Sequence, residues 1–260
     1  MHKVTPKVFL IGETRIVEDG LNDYLEHIGI PDWASDGPSD SEKLIEFYGR
    51  LCYRSFEPGM NANVTRIREG NDKYIGNILN VGHGSVIEHA MLNFVFADVS
   101  RVLTHELVRH RQGTAISQES LRFVRLTELG LWVPTCIQEN PEAVALFEET
   151  FKHLEGLQLK LAETFDLDNM KNFGIKKVIT SAMRRIAPIG LVTTIGWSVN
   201  PRALRHIIEM RTSRHAEEEI RIIFCEVARI VIERYPNVFS GYDTEEVDGL
   251  LEYTTKNRKV

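Results

Sequence analysis

Between Thr104 and Phe123 the chain reads THELVRHRQGTAISQESLRF, a crowd of imidazole, guanidinium, carboxylate and hydroxyl groups. His105, Glu106 and His110 invite comparison with the zinc-binding pattern His-Glu-x-x-His, in which the two imidazoles share a helix face. Here the histidines are five apart. At ~100° per residue they diverge by about 140° around a helix axis, so they do not form that site. His83, Glu88 and His89 make a second group, but their spacing fits no metal motif, and we expect no metal. Arg109, His110 and Arg111, with Gly113 just beyond, fit two other roles. Cations complement a helix C-terminus by ~0.3–1 kcal/mol each, and glycine commonly ends the helix. Alternatively, the guanidinium forks hold an anion such as phosphate. The residues that follow favour the second role. On an extended segment Gln118, Ser120 and Arg122 alternate onto one face, while Ser117, Glu119 and Leu121 point the other way. Serine and glutamine add neutral donors that orient a ligand beside the arginines.

These groups need elements to hold them. KVFLIGETRI reads as a short strand, and helices are expected over about 42–53 and 72–80. Ser85 and Glu88 have capping-box spacing for a short turn. Leu92, Phe94 and Phe96 alternate on a strand face, and Ser100 can cap a helix carrying Val102, Leu103 and Leu107. Pro141 opens a long amphipathic helix to about Phe165, and another helix runs from about Ile175 to Ile186. Residues 189–198 read as a strand, and Asn200-Pro201 then forms an N-cap and first-position pair. Ser213 with Glu217, Glu218 and Glu219 starts the next helix, whose apolar stripe is Ala216, Ile220, Ile223, Phe224, Val227 and Val231. No internal repeat is evident. The fold class is α+β: a helix-rich single domain around a small mixed or antiparallel sheet. Residues 1–240 are expected to form that domain, and 241–260 a C-terminal tail without a motif.

The bulk numbers narrow the function classes. With 260 residues, 43% hydrophobic and 26% charged, the chain has the profile of a soluble globular protein. No apolar run nears the ~20 residues that span a bilayer, so no membrane partner is expected. The N-terminal apolar run is too short for a secretory core, and the three separated cysteines suit a reducing compartment, so the expected location is cytoplasmic. A net charge of −6 opposes non-specific nucleic-acid binding, which depends on neutralising phosphates. Arginine clusters in an acidic chain point instead to discrete anion sites.

The chain resembles the flavin-dependent thymidylate synthases. The resemblance rests on Arg109-His110-Arg111 followed by Ser117-Gln118-Glu119-Ser120-Leu121-Arg122. GHGSVIEH (82–89), MRRIAP (183–188) and NPRALRHIIEMRTSRHAEEEIR (200–221) follow the family in order and spacing, so the matching segments span about residues 82–239. There are departures. The family's usual spacer between the triplet and the second serine is seven residues, whereas Gln112 to Glu119 makes eight. Phe123 stands where tyrosine is common, Glu106 where some members place glutamine, and His206 at a variable position.

The resemblance implies conversion of dUMP to dTMP, with methylenetetrahydrofolate as carbon donor and FAD, reduced by NADPH, as hydride source. It implies that Glu106, Gln118, Ser120, Arg122, Arg184 and Arg211 bind dUMP. His83, Ser85, Arg109, His110, Arg111, Gln118, Asn200, Arg202 and His206 are implied to contact FAD. Arg211 is the catalytic candidate, a cation to stabilise charge developing on the pyrimidine. Ser120 is read as a ligand contact, because no neighbouring residue is an obvious base for it. Cys225 sits on an apolar helix face, and Cys52 and Cys136 lack a local activating cluster. The family is homotetrameric with active sites at subunit interfaces. The alternatives are a related flavin-dependent pyrimidine nucleotide hydroxymethylase, motivated by the longer spacer, and a non-catalytic nucleotide- or RNA-binding protein.

Overall fold

Alternation of apolar residues builds the central sheet, and capped helices pack on it. The computed structural model describes residues 1–123, 126–257 and 260. The first half contains β1 (His2–Lys3), β2 (Lys7–Glu13), α1 (Glu18–His27), α2 (Asp40–Tyr53), α3 (Asn71–Val81), a 3-10 turn (Gly84–Glu88), β3 (Leu92–Ser100), α4 (Arg101–Leu107), β4 (Thr114–Gln118) and β5 (Gly130–Leu131). The second half contains α5 (Thr135–Gln138), α6 (Pro141–Thr164), α7 (Phe173–Met183) with a 3-10 extension (Arg184–Ile186), β6 (Val192–Val199), α8 (Pro201–Thr212), α9 (Glu218–Arg234), β7 (Tyr242–Val247) and β8 (Leu250–Thr255). No helix among the described residues is long and apolar enough to cross a membrane.

The main sheet has the order β2-β3-β6-β4, with every pairing antiparallel. β1 pairs with β5 in parallel, and β7 with β8 in a hairpin. Phe94, Phe96 and Trp197 face inward and are at most 1% exposed. Trp197 meets Phe224 of α9 edge-on, with centroids 5.6 Å apart. Leu92, Leu103, Leu107, Leu204 and Ile208 close the same core. A buried ion pair within α2 is linked to α3: Arg50 donates to Glu46 at 2.6 Å, and Asn71 at the start of α3 donates to the other Glu46 oxygen at 2.8 Å.

Local signals hold where the chain is its own context. Ser100 caps α4 by accepting from Leu103 N, and Asn200 caps α8 by accepting from Ala203 N. Three expectations are corrected. Ser85 is inside the 3-10 turn rather than capping it, and no side chain caps that turn. Ser213 is the C-cap of α8, while Glu217 caps α9 by accepting from Glu219 N and Ile220 N. A carboxylate one residue from the helix outcompetes a serine five residues away. Finally, the strand after Gly113 stops at Gln118, so Ser120 and Arg122 do not continue its alternation; Phe123 N donates to Ser120 O in a turn.

The last residues, which carry no motif, fold against α8. Arg205, fully buried, donates to Val238 O at 2.7 Å and Ser240 O at 2.9 Å. Tyr242 Oη donates to Arg205 O, and Tyr253 N to Thr212 Oγ1. These bonds fix the far end of α8, where Arg211 sits.

Candidate functional site

Chain direction brings the basic residues together. β3 ends beside the start of β6, with Ser100 paired to Val192, and α4 then carries the chain back along the sheet. The chain turns at Gln112–Gly113 and enters β4 with Thr114 opposite Val199, at the point where β6 gives way to α8. Asn200 N donates to Gly113 O at 2.9 Å. Gly113 takes φ +66°, and a Cβ there would lie 2.3 Å from Asn200 Nδ2, so backbone and amide meet as only glycine allows. The longer spacer leaves β4 undisturbed: Thr114 to Gln118 pair with β6 without a register shift.

Segment 106–113 consequently runs antiparallel beside α8. A cleft of about 870 Å3 opens there, within the roughly 300–1,000 Å3 range of small-molecule sites. Arg109, His110, Arg111, Asn200, Arg202 and His206 line it, with Gly82, Glu88 and Val260 at its edges. Glu88 pairs with Arg202 at 2.5 Å. His83 adjoins Gly82 and keeps a buried Nδ1 without a hydrogen-bond partner. His89 stacks on Tyr48 at 3.8 Å and His83 meets Tyr53 edge-on, so His83, Glu88 and His89 have separate surroundings. Ser85 is exposed and does not line the cleft.

At the other end of α8, Arg211 is held by three acceptors. Its Nε donates to His110 Nε2 at 2.8 Å, Nη1 to Glu106 Oε2 at 2.6 Å and Nη2 to Glu106 O at 3.3 Å. As an acceptor at Nε2, His110 is neutral and carries its proton on Nδ1. Burial, then the Arg211 charge and His206, push its pKa down to about 4. Burial also raises the pKa of neighbouring Glu217, and the Glu106 charge adds to that rise.

A second basic group lies at the opposite end of β4. Ser120 Oγ accepts from Arg122 N at 3.3 Å, and Arg122 O accepts from Thr180 of α7. Arg184 follows α7 and is exposed. Arg101, which the sequence reading did not single out, joins this group: it donates to Glu119 O, its Nε is buried without a partner, and burial and then the Arg184 charge lower its pKa. Directly after a capping serine it looked like any first-turn residue. Gln118 sits between the groups and donates to Thr104 Oγ1 at 3.1 Å. Among the described residues of this chain, no carboxylate or imidazole is bonded to Ser120 Oγ. Within one chain the two groups are separated by the length of β4, roughly 13 Å at ~3.3 Å per residue.

The cleft's lining suits a phosphate-bearing dinucleotide: Arg109, Arg111 and Arg202, the last paired with Glu88, stand beside Asn200 and His206, with no lysine among the described lining residues. Comparisons with known proteins identify the family. The family model described as Thymidylate synthase complementing protein (Thy1) matches residues 36–237. A flavin-dependent thymidylate synthase of Mycobacteroides abscessus is 34% identical over 218 residues, covering 82% of this chain and 83% of its own. Its counterpart in Corynebacterium diphtheriae is 34% identical over 229 residues, covering 86% and 88%. Among solved structures, Thymidylate Synthase X from Helicobacter pylori with FAD and dUMP superposes with a TM-score of 0.58 at 19% identity, over 91% of this chain and 98% of that one. PolB from Streptomyces cacaoi, a UMP/dUMP methylase bound with 5-Br dUMP, gives 0.65 at 14% identity, over 92% and 94%. These two share the fold.

Proposed function

The chain belongs to the flavin-dependent thymidylate synthases, and from that premise we propose that it methylates dUMP reductively to dTMP with FAD in the cleft beside α8. The carrying observation is the convergence of Arg109, His110, Arg111, Asn200, Arg202 and His206 on one cleft that adjoins Arg211. Arg109, Arg111 and Arg202 would hold the cofactor's phosphates, with Asn200 and His206 hydrogen-bonding its polar edges. When bound and reduced by NADPH, FAD supplies the hydride, and methylenetetrahydrofolate the carbon.

The protein's own part is placement and electrostatics. Three of the five Arg211 N–H groups are already bonded, which fixes the guanidinium plane. The two that remain would donate to a pyrimidine carbonyl and stabilise negative charge as it grows there. Ser120, Arg122, Arg184 and Arg101 form the phosphate end of the nucleotide site. Their separation from the cleft by β4 supports a composite site, in which the phosphate end of one subunit meets the flavin cleft of another in a homotetramer. The location we propose is cytoplasmic. No protein nucleophile is needed, because the flavin carries the hard chemistry.

The test supplies dUMP, NADPH and methylenetetrahydrofolate to the purified protein and follows nucleotide products. Formation of dTMP by a yellow, flavin-containing protein is expected. Consumption of dUMP without dTMP would overturn methylation in favour of hydroxymethylation, and absence of flavin absorbance after incubation with FAD would overturn both.

A further inference from the structure

The contact that the sequence made least of is Glu106 with Arg211, 105 residues apart. A carboxylate would repel a nucleotide's phosphate, so Glu106 is a poor phosphate contact. The structure gives it another occupation. Its Oε2 accepts Arg211 Nη1 at 2.6 Å and its backbone oxygen accepts Nη2, while His110 Nε2 takes the Nε hydrogen. Two anchors from one short segment thus pin both edges of the guanidinium. Arg211 alone has several rotamers open to it, and a point cation that swings cannot stabilise charge at one atom. The Arg211 side chain is 16% exposed and that of Glu106 31%, so the pair sits at a half-open mouth where a ligand can reach the free N–H groups.

We propose that Glu106 is a positioning residue for the reaction: it orients Arg211, with His110 as the second anchor. Glu106 is therefore judged by what it does to Arg211. The carboxylate also offsets part of the Arg211 charge, so a neutral pyrimidine is met by two directed donors rather than by an unscreened cation. His110 lines the flavin cleft as well, so a single imidazole borders the cofactor and holds the arginine.

This inference rests on the assignment of Arg211 to the pyrimidine, and a double-mutant cycle separates the two. Glu106→Ala, Arg211→Ala and the double variant are compared with wild type for kcat and KM, and for dUMP affinity by flavin difference absorbance in the oxidised, non-reacting enzyme. Glu106→Ala should lower kcat by about tenfold or more, since small misplacements carry such costs. Glu106→Gln, whose amide oxygen still accepts from Nη1, should restore kcat to within a few-fold. Once Arg211 is alanine, removing Glu106 should cost less than about twofold in kcat, because coupled residues are non-additive. Glu106→Met, which fills similar volume without an acceptor, gives the same comparison if the alanine variant does not fold. Additive losses, or a Glu106→Gln variant as impaired as Glu106→Ala, would overturn the positioning role. Arg211→Ala with unchanged turnover and dUMP affinity would instead overturn the assignment beneath it.

Discussion

The start of α4 is pinned by a buried carboxylate whose charge can be tested directly. Glu219 on α9 is 1% exposed and accepts the Ser100 amide at 2.6 Å and the Ser100 hydroxyl. Burial pushes its pKa up to about 7 against the lowering effect of these bonds, and nearby Glu217 adds to the rise. In the unfolded chain a glutamate titrates near ~4.3. Between those values the folded protein holds a proton that the unfolded chain has released. Stability from Glu219 is thus fully present below the unfolded pKa and is lost as pH rises through about 7. At ~1.36 kcal/mol per unit, the loss from about pH 5 to about pH 8 is on the order of 2–3 kcal/mol. Glu219→Gln keeps an oxygen to accept from Ser100 and never ionises. Urea unfolding of both proteins at fixed protein concentration should show wild type weakening relative to the variant by that amount as pH rises. Glu42 is also raised by burial, but it is common to both proteins and cancels in the difference. Parallel stability-versus-pH curves would refute a proton on buried Glu219.

Gly113→Ala puts a Cβ 2.3 Å from Asn200 Nδ2 at a φ of +66°; it should destabilise the fold by about 1–2 kcal/mol and lower flavin occupancy, read from the ratio of flavin to protein absorbance. Arg184→Ala should raise KM for dUMP at least about tenfold while leaving flavin content unchanged, because a charge-assisted phosphate contact is worth ~1.5–3 kcal/mol. Glu46→Ala strands buried Arg50 and should cost about 3–5 kcal/mol in urea unfolding, with little effect on KM for dUMP among the molecules that remain folded.

Much of the framework was legible because its causes lie within a few residues. The Ser100 and Asn200 caps, the proline starts of α6 and α8, and the inward alternation of Leu92, Phe94 and Phe96 all follow from near-neighbour backbone bonds and a period of two. The Arg-His-Arg triplet with its serine-rich sequel was enough to suggest the family. Ser213 and Glu217 show where local reading runs out: both can cap, and the actual path of the chain off α8 selected Glu217. Ser120 and Arg122 likewise left their predicted strand face because β4 pairs with β6 only as far as Gln118. In the C-terminal hairpin β7 is mostly acidic and polar and carries no apolar pattern to announce it; bonds from Tyr242 to Arg205 O and from Tyr253 N to Thr212 hold the hairpin in place.

By itself, then, the sequence determined the chemical vocabulary of this protein: arginines for anions, glycine and asparagine for a tight approach, and no activated nucleophile in the motifs. The tertiary structure decided which words meet. The register of β4 on β6 laid segment 106–113 along α8, and so joined Glu106 and His110 to Arg211 across more than a hundred residues. It also gathered Arg101 with Arg184 at the other end of the strand. The physical reason is that a side chain's identity is local, whereas its partners are set by sheet pairing and core packing that no short window of sequence contains.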